Sequence, residues 1–128
     1  MEAQVIRYSD IAPMIFPTSR ETRVYAGARG LPAQRFTMGY VVVEPDGSVP
    51  LHHHDQEEVY FLLDGVGEID IDGKRFRMEP LSAVYIPSQK PHQFRNVGQS
   101  PMRFLFVYAP AEEVSHWAEE SARGRSST

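Results

Sequence analysis

Three consecutive histidines, His52, His53 and His54, are followed closely by Glu57 and Glu58. Imidazole and carboxylate are the side chains that hold divalent metals when no thiolate is at hand. Here none is, because the chain contains no cysteine. Thiolate zinc sites, iron–sulfur clusters, disulfide scaffolds and cysteine nucleophiles are thereby excluded. In an extended segment, side chains alternate between faces, so His52 and His54 share one face and His53 takes the other. Glu58 has the same parity as the two histidines and Glu57 the opposite one, provided the chain does not bend between them. Two imidazoles two residues apart with a carboxylate nearby make a converging donor set. Neutral imidazole suits zinc, iron, nickel and copper, and a carboxylate adds affinity for manganese. A fourth donor must come from elsewhere in the chain, and His92 is the candidate. The fifth histidine, His116, falls far along the sequence in a helical pattern and is expected to be unrelated to the site.

Such donors need elements to position them. Ten prolines and nine glycines punctuate the 128 residues every few positions. Between them lie short β-branched and aromatic runs: Tyr40 to Glu44, Val59 to Leu63, Glu68 to Ile71, Lys74 to Met78, Val84 to Ile86 and Arg103 to Tyr108. Asp72-Gly73 between two alternating segments is a hairpin signal. Gly47 lets the chain enter the histidine strand tightly, and Gly65 closes a turn after the next run. Short strands at this spacing predict an all-β antiparallel sandwich or barrel. Val24-Tyr25-Ala26 reads as an edge strand and Gly27 to Pro32 as a loop. One short C-terminal helix is expected over about 111–123. Val114, Trp117, Ala118 and Ala122 recur there at helical spacing, Gly124 is a natural stop, and Arg125 to Thr128 form a frayed tail.

Composition bounds the function classes. With 41% hydrophobic and 23% charged residues and a net charge of -4, the chain is the size of a single globular domain. Its 13 basic residues are interleaved with 17 acidic ones, which argues against nucleic acid as a partner. The longest apolar run, Phe104 to Ala109, has six residues, against the roughly 18 of a membrane span. No apolar region of signal-peptide type follows Met1-Glu2-Ala3-Gln4, so a cytoplasmic location is expected.

The stretch from Gly47 through His52, His54 and Glu58 to Gly65 resembles the first signature motif of the cupins. In that motif a glycine precedes His-x-His, a glutamate follows after three or four residues, and a second glycine comes six residues later. The gap from Gly47 to His52 is one short of the usual five. Glu57 would leave a gap of only two, so Glu58 is the better match. Pro87, His92 and Asn96 match the second motif, in which Leu81 and Gln89 stand where the family has glycines. The resemblance spans about residues 38–108, with an N-terminal arm, 1–37, before it in a single domain, 1–128. It implies a cupin-type antiparallel β-barrel, or jelly roll, often dimeric. It also implies one divalent metal ion, of iron, manganese, zinc or nickel type, held by His52, His54, Glu58 and His92.

What the resemblance implies for activity is a metal-dependent enzyme on a small organic molecule, of dioxygenase, lyase, cyclase or isomerase type. The alternative is a non-catalytic cupin that binds a small ligand or holds a structural metal. A metal-free epimerase is disfavoured, since a full donor set would then lack a role. Tyr40 and Tyr60 are the candidate proton-relay residues. Met38, Tyr40, Tyr60 and Phe94 have the parity to line the cavity, although packing in the core is the plainer role for each. Asp55, Gln56 and Glu57 are expected to meet solvent, His53 to point outward, and Arg35 and Arg103 to be surface charges.

Overall fold

Alternation of apolar and polar residues dictates the architecture. The computed structural model describes residues 2–126, the side chains from 122 onward excepted. Ten strands follow in chain order: β1 Met14–Phe16, β2 Arg20–Ala26, β3 Thr37–Val43, β4 Ser48–His52, β5 Glu57–Asp64, β6 Gly67–Ile71, β7 Lys74–Met78, β8 Ala83–Ile86, β9 His92–Asn96 and β10 Met102–Ala109. Helix α1, His116–Ser126, ends the fold. All strand pairings are antiparallel. They form a six-stranded sheet in the order β1-β2-β3-β10-β5-β8 and a four-stranded sheet in the order β4-β9-β6-β7. The two sheets are not hydrogen-bonded into one closed cylinder, so the expected barrel is a two-sheet jelly roll.

The core is the layer between the sheets. Val41, Val43, Leu62, Phe104 and Phe106 come from the larger sheet, and Ile69, Ile71 and Phe94 from the smaller. Burying side chains of this size contributes on the order of 2 kcal/mol each. Asp72 and Gly73 both take positive φ, as a two-residue hairpin between β6 and β7 requires. Gly65 turns the chain at φ +90°. At Gly47 a Cβ would lie 2.8 Å from the Thr18 carbonyl oxygen, which explains the absent side chain.

Three expectations need correction. The Val24 segment is not an edge: β2 is flanked by β1 and β3, so residues 14–26 of the expected arm belong to the larger sheet. The helix begins at His116, not near Ala111. Residues 111–115 are drawn away from helix because their carbonyls serve tertiary donors: Thr37 Oγ1 donates to Ala111 O (2.7 Å) and Gln56 Nε2 to Glu112 O (2.6 Å). Ser115 O then accepts the first helical N–H groups, from Ala118 and Glu119. Gly124 does not stop the helix, which continues to Ser126; the rest of the expected tail, 127–128, lies outside the described residues. No helix among the described residues is long and apolar enough to cross a membrane.

Candidate metal centre

Both sheets build the site. His52 ends β4 and His92 opens β9, paired directly across the smaller sheet. Glu58 sits at the start of β5 in the larger sheet, opposite Tyr108 and Ile86. His54 lies in the link that carries the chain from one sheet to the other. Each of the four residues offers one ligand atom, and these atoms all lie within 4.8 Å of one another. His53, between two of them, is exposed, as its parity predicts.

The far side of each imidazole is tied to the main chain. His52 Nδ1 pairs with Pro50 O at 2.7 Å, His54 Nδ1 with Gln56 O at 2.9 Å and His92 Nδ1 with Lys90 O at 2.9 Å. A carbonyl can only accept, so each Nδ1 carries the proton. In the neutral ring each Nε2 is then left with a lone pair on the inner side. His54 Nε2 lies 3.2 Å from Glu58 Oε1. His92 Nε2 is 3.6 Å from the same oxygen, beyond hydrogen-bond range, and although buried has no hydrogen-bond partner among the described residues. An orphaned, buried lone pair aimed at a carboxylate and two further imidazoles is the arrangement a cation resolves. The quartet fits one divalent ion.

Electrostatics points the same way. Burial, reinforced by His116 and His92, pushes His52 far below the usual histidine value, so it stays neutral. Burial works against the Glu58 carboxylate, yet its contacts with His54 and His92 hold its pKa below the ordinary value. Burial also lowers His54, but the Glu58 carboxylate outweighs it and raises the net value. The proton Glu58 draws onto His54 is the one a bound cation must displace.

Beneath the quartet lies an aromatic floor. Tyr60 packs on Phe94 and Phe104 with ring centroids 5.5 and 4.7 Å away, and its ring is 6.3 Å from His92. Burial, with the Glu58 charge, raises the Tyr60 hydroxyl well above its ordinary pKa, so it keeps its proton. Tyr40 and Met38 are corrections. The inward residues of β3 are 37, 39, 41 and 43, which turns both side chains to the outer face of the sheet. Arg103 is half exposed there, 3.6 Å from Asp64.

Two further expectations are overturned. His116 is not remote: its ring stacks on His52 with centroids 3.7 Å apart, while its Nδ1 donates to Glu120 Oε1 at 2.8 Å. Gln56 is buried rather than solvated. Its amide holds the Glu112 carbonyl, and its own carbonyl holds His54. Asp55 and Glu57 are exposed as expected, Glu57 accepting a hydrogen bond from Tyr85 Oη at 2.8 Å. Arg20 and Glu120 carry no motif and escaped the reading of the sequence. The one available signal was the four-residue spacing of His116 and Glu120, which places them on one helical face.

Comparison with known proteins bears on the fold and the family. RemF, a polyketide cyclase from Streptomyces resistomycificus, superposes with a TM-score of 0.74 at 26% identity, over 87% of this chain and 81% of that one. Polyketide synthase CurC of Streptomyces cyaneus is 32% identical over 57% of this chain and 48% of its own length. The 5-nitrosalicylic acid 1,2-dioxygenase of a Bradyrhizobium species is 24% identical over 70% of this chain and 51% of its own. The chain thus matches about half the length of these curated relatives. The family model for the cupin domain matches residues 39–108, the span that carries the whole histidine–glutamate quartet, and the chain belongs to the cupin family.

Proposed function

We propose that this protein is a metal-dependent enzyme acting on a small organic molecule, of cyclase, lyase, isomerase or dioxygenase type. The observation that carries the reading is the locked quartet: three imidazoles with Nδ1 tied to backbone carbonyls and their free nitrogens grouped about Glu58. His52, His54, Glu58 and His92 would hold iron, manganese, zinc or nickel. A divalent ion so held would supply Lewis-acid or redox chemistry.

The chain's own residues supply the rest. The backbone ties fix ring orientation in advance, so no reorganisation is needed at the moment of reaction. Tyr60, Phe94 and Phe104 form a dry wall that strengthens charge interactions inside. The protonated Tyr60 hydroxyl is suited to donate a hydrogen bond, not to act as a base. RemF, a polyketide cyclase by name, favours a cyclisation; the dioxygenase relative favours oxygen insertion.

A second reading, a structural metal in a binding protein, has one observation in its favour. The cavity beside Glu58 has a volume of only ≈20 Å³, little more than the room for one water. The test is elemental analysis of protein purified without chelators, followed by oxygen uptake with phenols, diketones and polyketide-like substrates. One equivalent of a redox metal with oxygen uptake supports the dioxygenase branch; zinc with turnover but no uptake supports cyclisation. A metal-free wild-type protein after reconstitution with each ion would sink the enzyme reading.

A further inference from the structure

The smallness of that cavity has an identifiable cause. The segment leading into α1 and its first turn fill the end of the jelly roll, and Val114, His116 and Trp117 wall the cavity that Arg20, Thr22, Glu58 and Tyr60 line from the sheet side. What latches this plug is a buried ion pair. Arg20 Nη1 lies 2.6 Å from Glu120 Oε2 and Nη2 lies 2.8 Å from Oε1, with both side chains almost fully buried. The two parallel contacts are the arrangement in which a guanidinium recognises any carboxylate.

Arg20 is fixed independently of the helix. Its guanidinium lies 4.1 Å over the Phe16 ring, and Nη1 also donates to Thr18 Oγ1 at 3.0 Å. The fork is therefore set by β1, β2 and the turn between them. Beside it, Thr22 Oγ1 is buried without a hydrogen-bond partner among the described residues. A preset guanidinium fork and an unused hydroxyl line one cavity with a candidate metal ligand, Glu58. That is more recognition chemistry than holding a helix requires.

We propose that Arg20 and Thr22 form a carboxylate-binding subsite for the substrate, and that Glu120 occupies it in the closed form as the chain's own stand-in. The proposal rests on the reading of the quartet as a reaction centre and narrows its substrates to carboxylate-bearing molecules. Exchange is the route the physics allows. Withdrawing Glu120 alone would leave Arg20 buried and unpaired. An incoming carboxylate removes that penalty by taking the same two contacts. Release of Glu120 also frees His116, whose ring stacks on His52. Binding of the substrate's acid group and release of the ring stacked on His52 are thereby one event, since a ligand that prefers the open form shifts the population toward it.

Trp117 is the sole tryptophan of the chain and packs against Phe106 and Tyr108, so its emission reports whether the plug is seated. The full-length protein is titrated with benzoate as the probe and with benzyl alcohol as the neutral control, and bound metal is measured in the same samples. Benzoate is expected to red-shift the emission saturably, benzyl alcohol to leave it unmoved, and Arg20→Lys to lose the response. Glu120→Gln removes the tethered competitor and is expected to bind benzoate about tenfold tighter. Should that variant fold poorly, hydrogen exchange of α1 in the wild type with benzoate gives the same answer, with faster exchange expected. An emission and exchange pattern untouched by benzoate, or a response as large with benzyl alcohol, overturns the proposal. A metal-loaded protein indifferent to benzoate refutes the subsite alone; a benzoate response in protein unable to bind metal refutes the reaction centre and leaves the subsite standing.

Discussion

The six-stranded sheet carries tyrosine, arginine and carboxylate on both its faces, and the two faces are worth entirely different things. Outside, Tyr8, Tyr25, Tyr40, Glu21 and Arg103 border a groove of ≈500 Å³. Inside, Arg20, Glu58 and Tyr60 share a cavity of ≈20 Å³. Volume alone would direct attention to the outer groove. Desolvation reverses the choice. Outside, Arg103 and Asp64 are 43% and 65% exposed, and water screens the pair. Inside, Arg20 and Glu120 are 1% and 3% exposed, so each charge depends on its protein partners rather than on water. Chemistry resides where polar groups have been taken out of water and given few, fixed partners.

The largest expected effect breaks the contrast at the quartet. His92→Ala removes the orphaned Nε2 and should weaken metal binding by more than about a hundredfold, beyond the loss typical of groups that only orient a ligand. Tyr40→Phe, on the outer face, should leave the metal-to-protein ratio unchanged. Elemental analysis after dialysis decides both. A His92→Ala protein that keeps its full complement of metal would remove the basis for the proposed centre.

The next effect is on stability. Arg20→Met strands the Glu120 carboxylate in the interior and should cost about 3–5 kcal/mol in urea denaturation. Arg103→Met breaks an exposed pair and should stay within about 0.5 kcal/mol. Equal losses would mean that burial does not separate the two faces.

Acidity sharpens the same comparison. Burial opposes the Glu120 carboxylate, but Arg20 and His116 outweigh it and hold its pKa down at about 2. A carboxyl depressed in the folded state adds stability that is fully present above its unfolded value, near 4.5, and is lost as pH falls toward 2. In the metal-free protein, the wild type should therefore lose up to about 3 kcal/mol relative to Glu120→Gln over that window. Above about pH 5 the carboxylate's own contribution to the difference should be flat. Parallel curves throughout would show that Glu120 is not the acid-sensitive latch.

How much of this was legible in the residues follows from the range of each signal. The pairing of Ile71 with Lys74 across Asp72-Gly73 is local, and turn chemistry announces it. The quartet was legible because the alternation of His52 and His54 places them on one side of an extended segment and the family motif supplies the other two. Tyr40 was misplaced for want of register: its even parity matches that of Tyr60, but β3 and β5 do not pair, since β10 lies between them, and parity does not carry across that gap. The start of α1 was misjudged because tertiary donors, Thr37 and Gln56, claim the carbonyls that a helix over 111–115 would need. Arg20 and Glu120 are 100 residues apart, and no local pattern links them.

The smallest effect concerns backbone, not side chains. Leu81 and Gln89 stand where the family's second motif has glycine, yet both keep the left-handed conformation, at φ 70° and φ 66°. The loops therefore hold two non-glycine residues in a conformation that favours glycine and accept the steric cost, because hydrogen bonds hold them. Leu81 N–H donates to Leu62 O at 2.7 Å, and Gln89 N–H donates to His54 O at 2.8 Å. The second of these bonds pins the link that carries His54. A left-handed L residue costs about 1–2 kcal/mol, and glycine gives back part of that gain as unfolded-state entropy, about 0.5–1 kcal/mol. Leu81→Gly and Gln89→Gly should each stabilise the fold by about 0.5 kcal/mol, with metal content unaltered, since only backbone groups make the two bonds. Asp46→Gly, at φ 68°, is the control. Aspartate tolerates this conformation better, so its replacement should gain less. A loss of stability at Leu81 would show that its side chain, 74% exposed, does more in the fold than its position suggests.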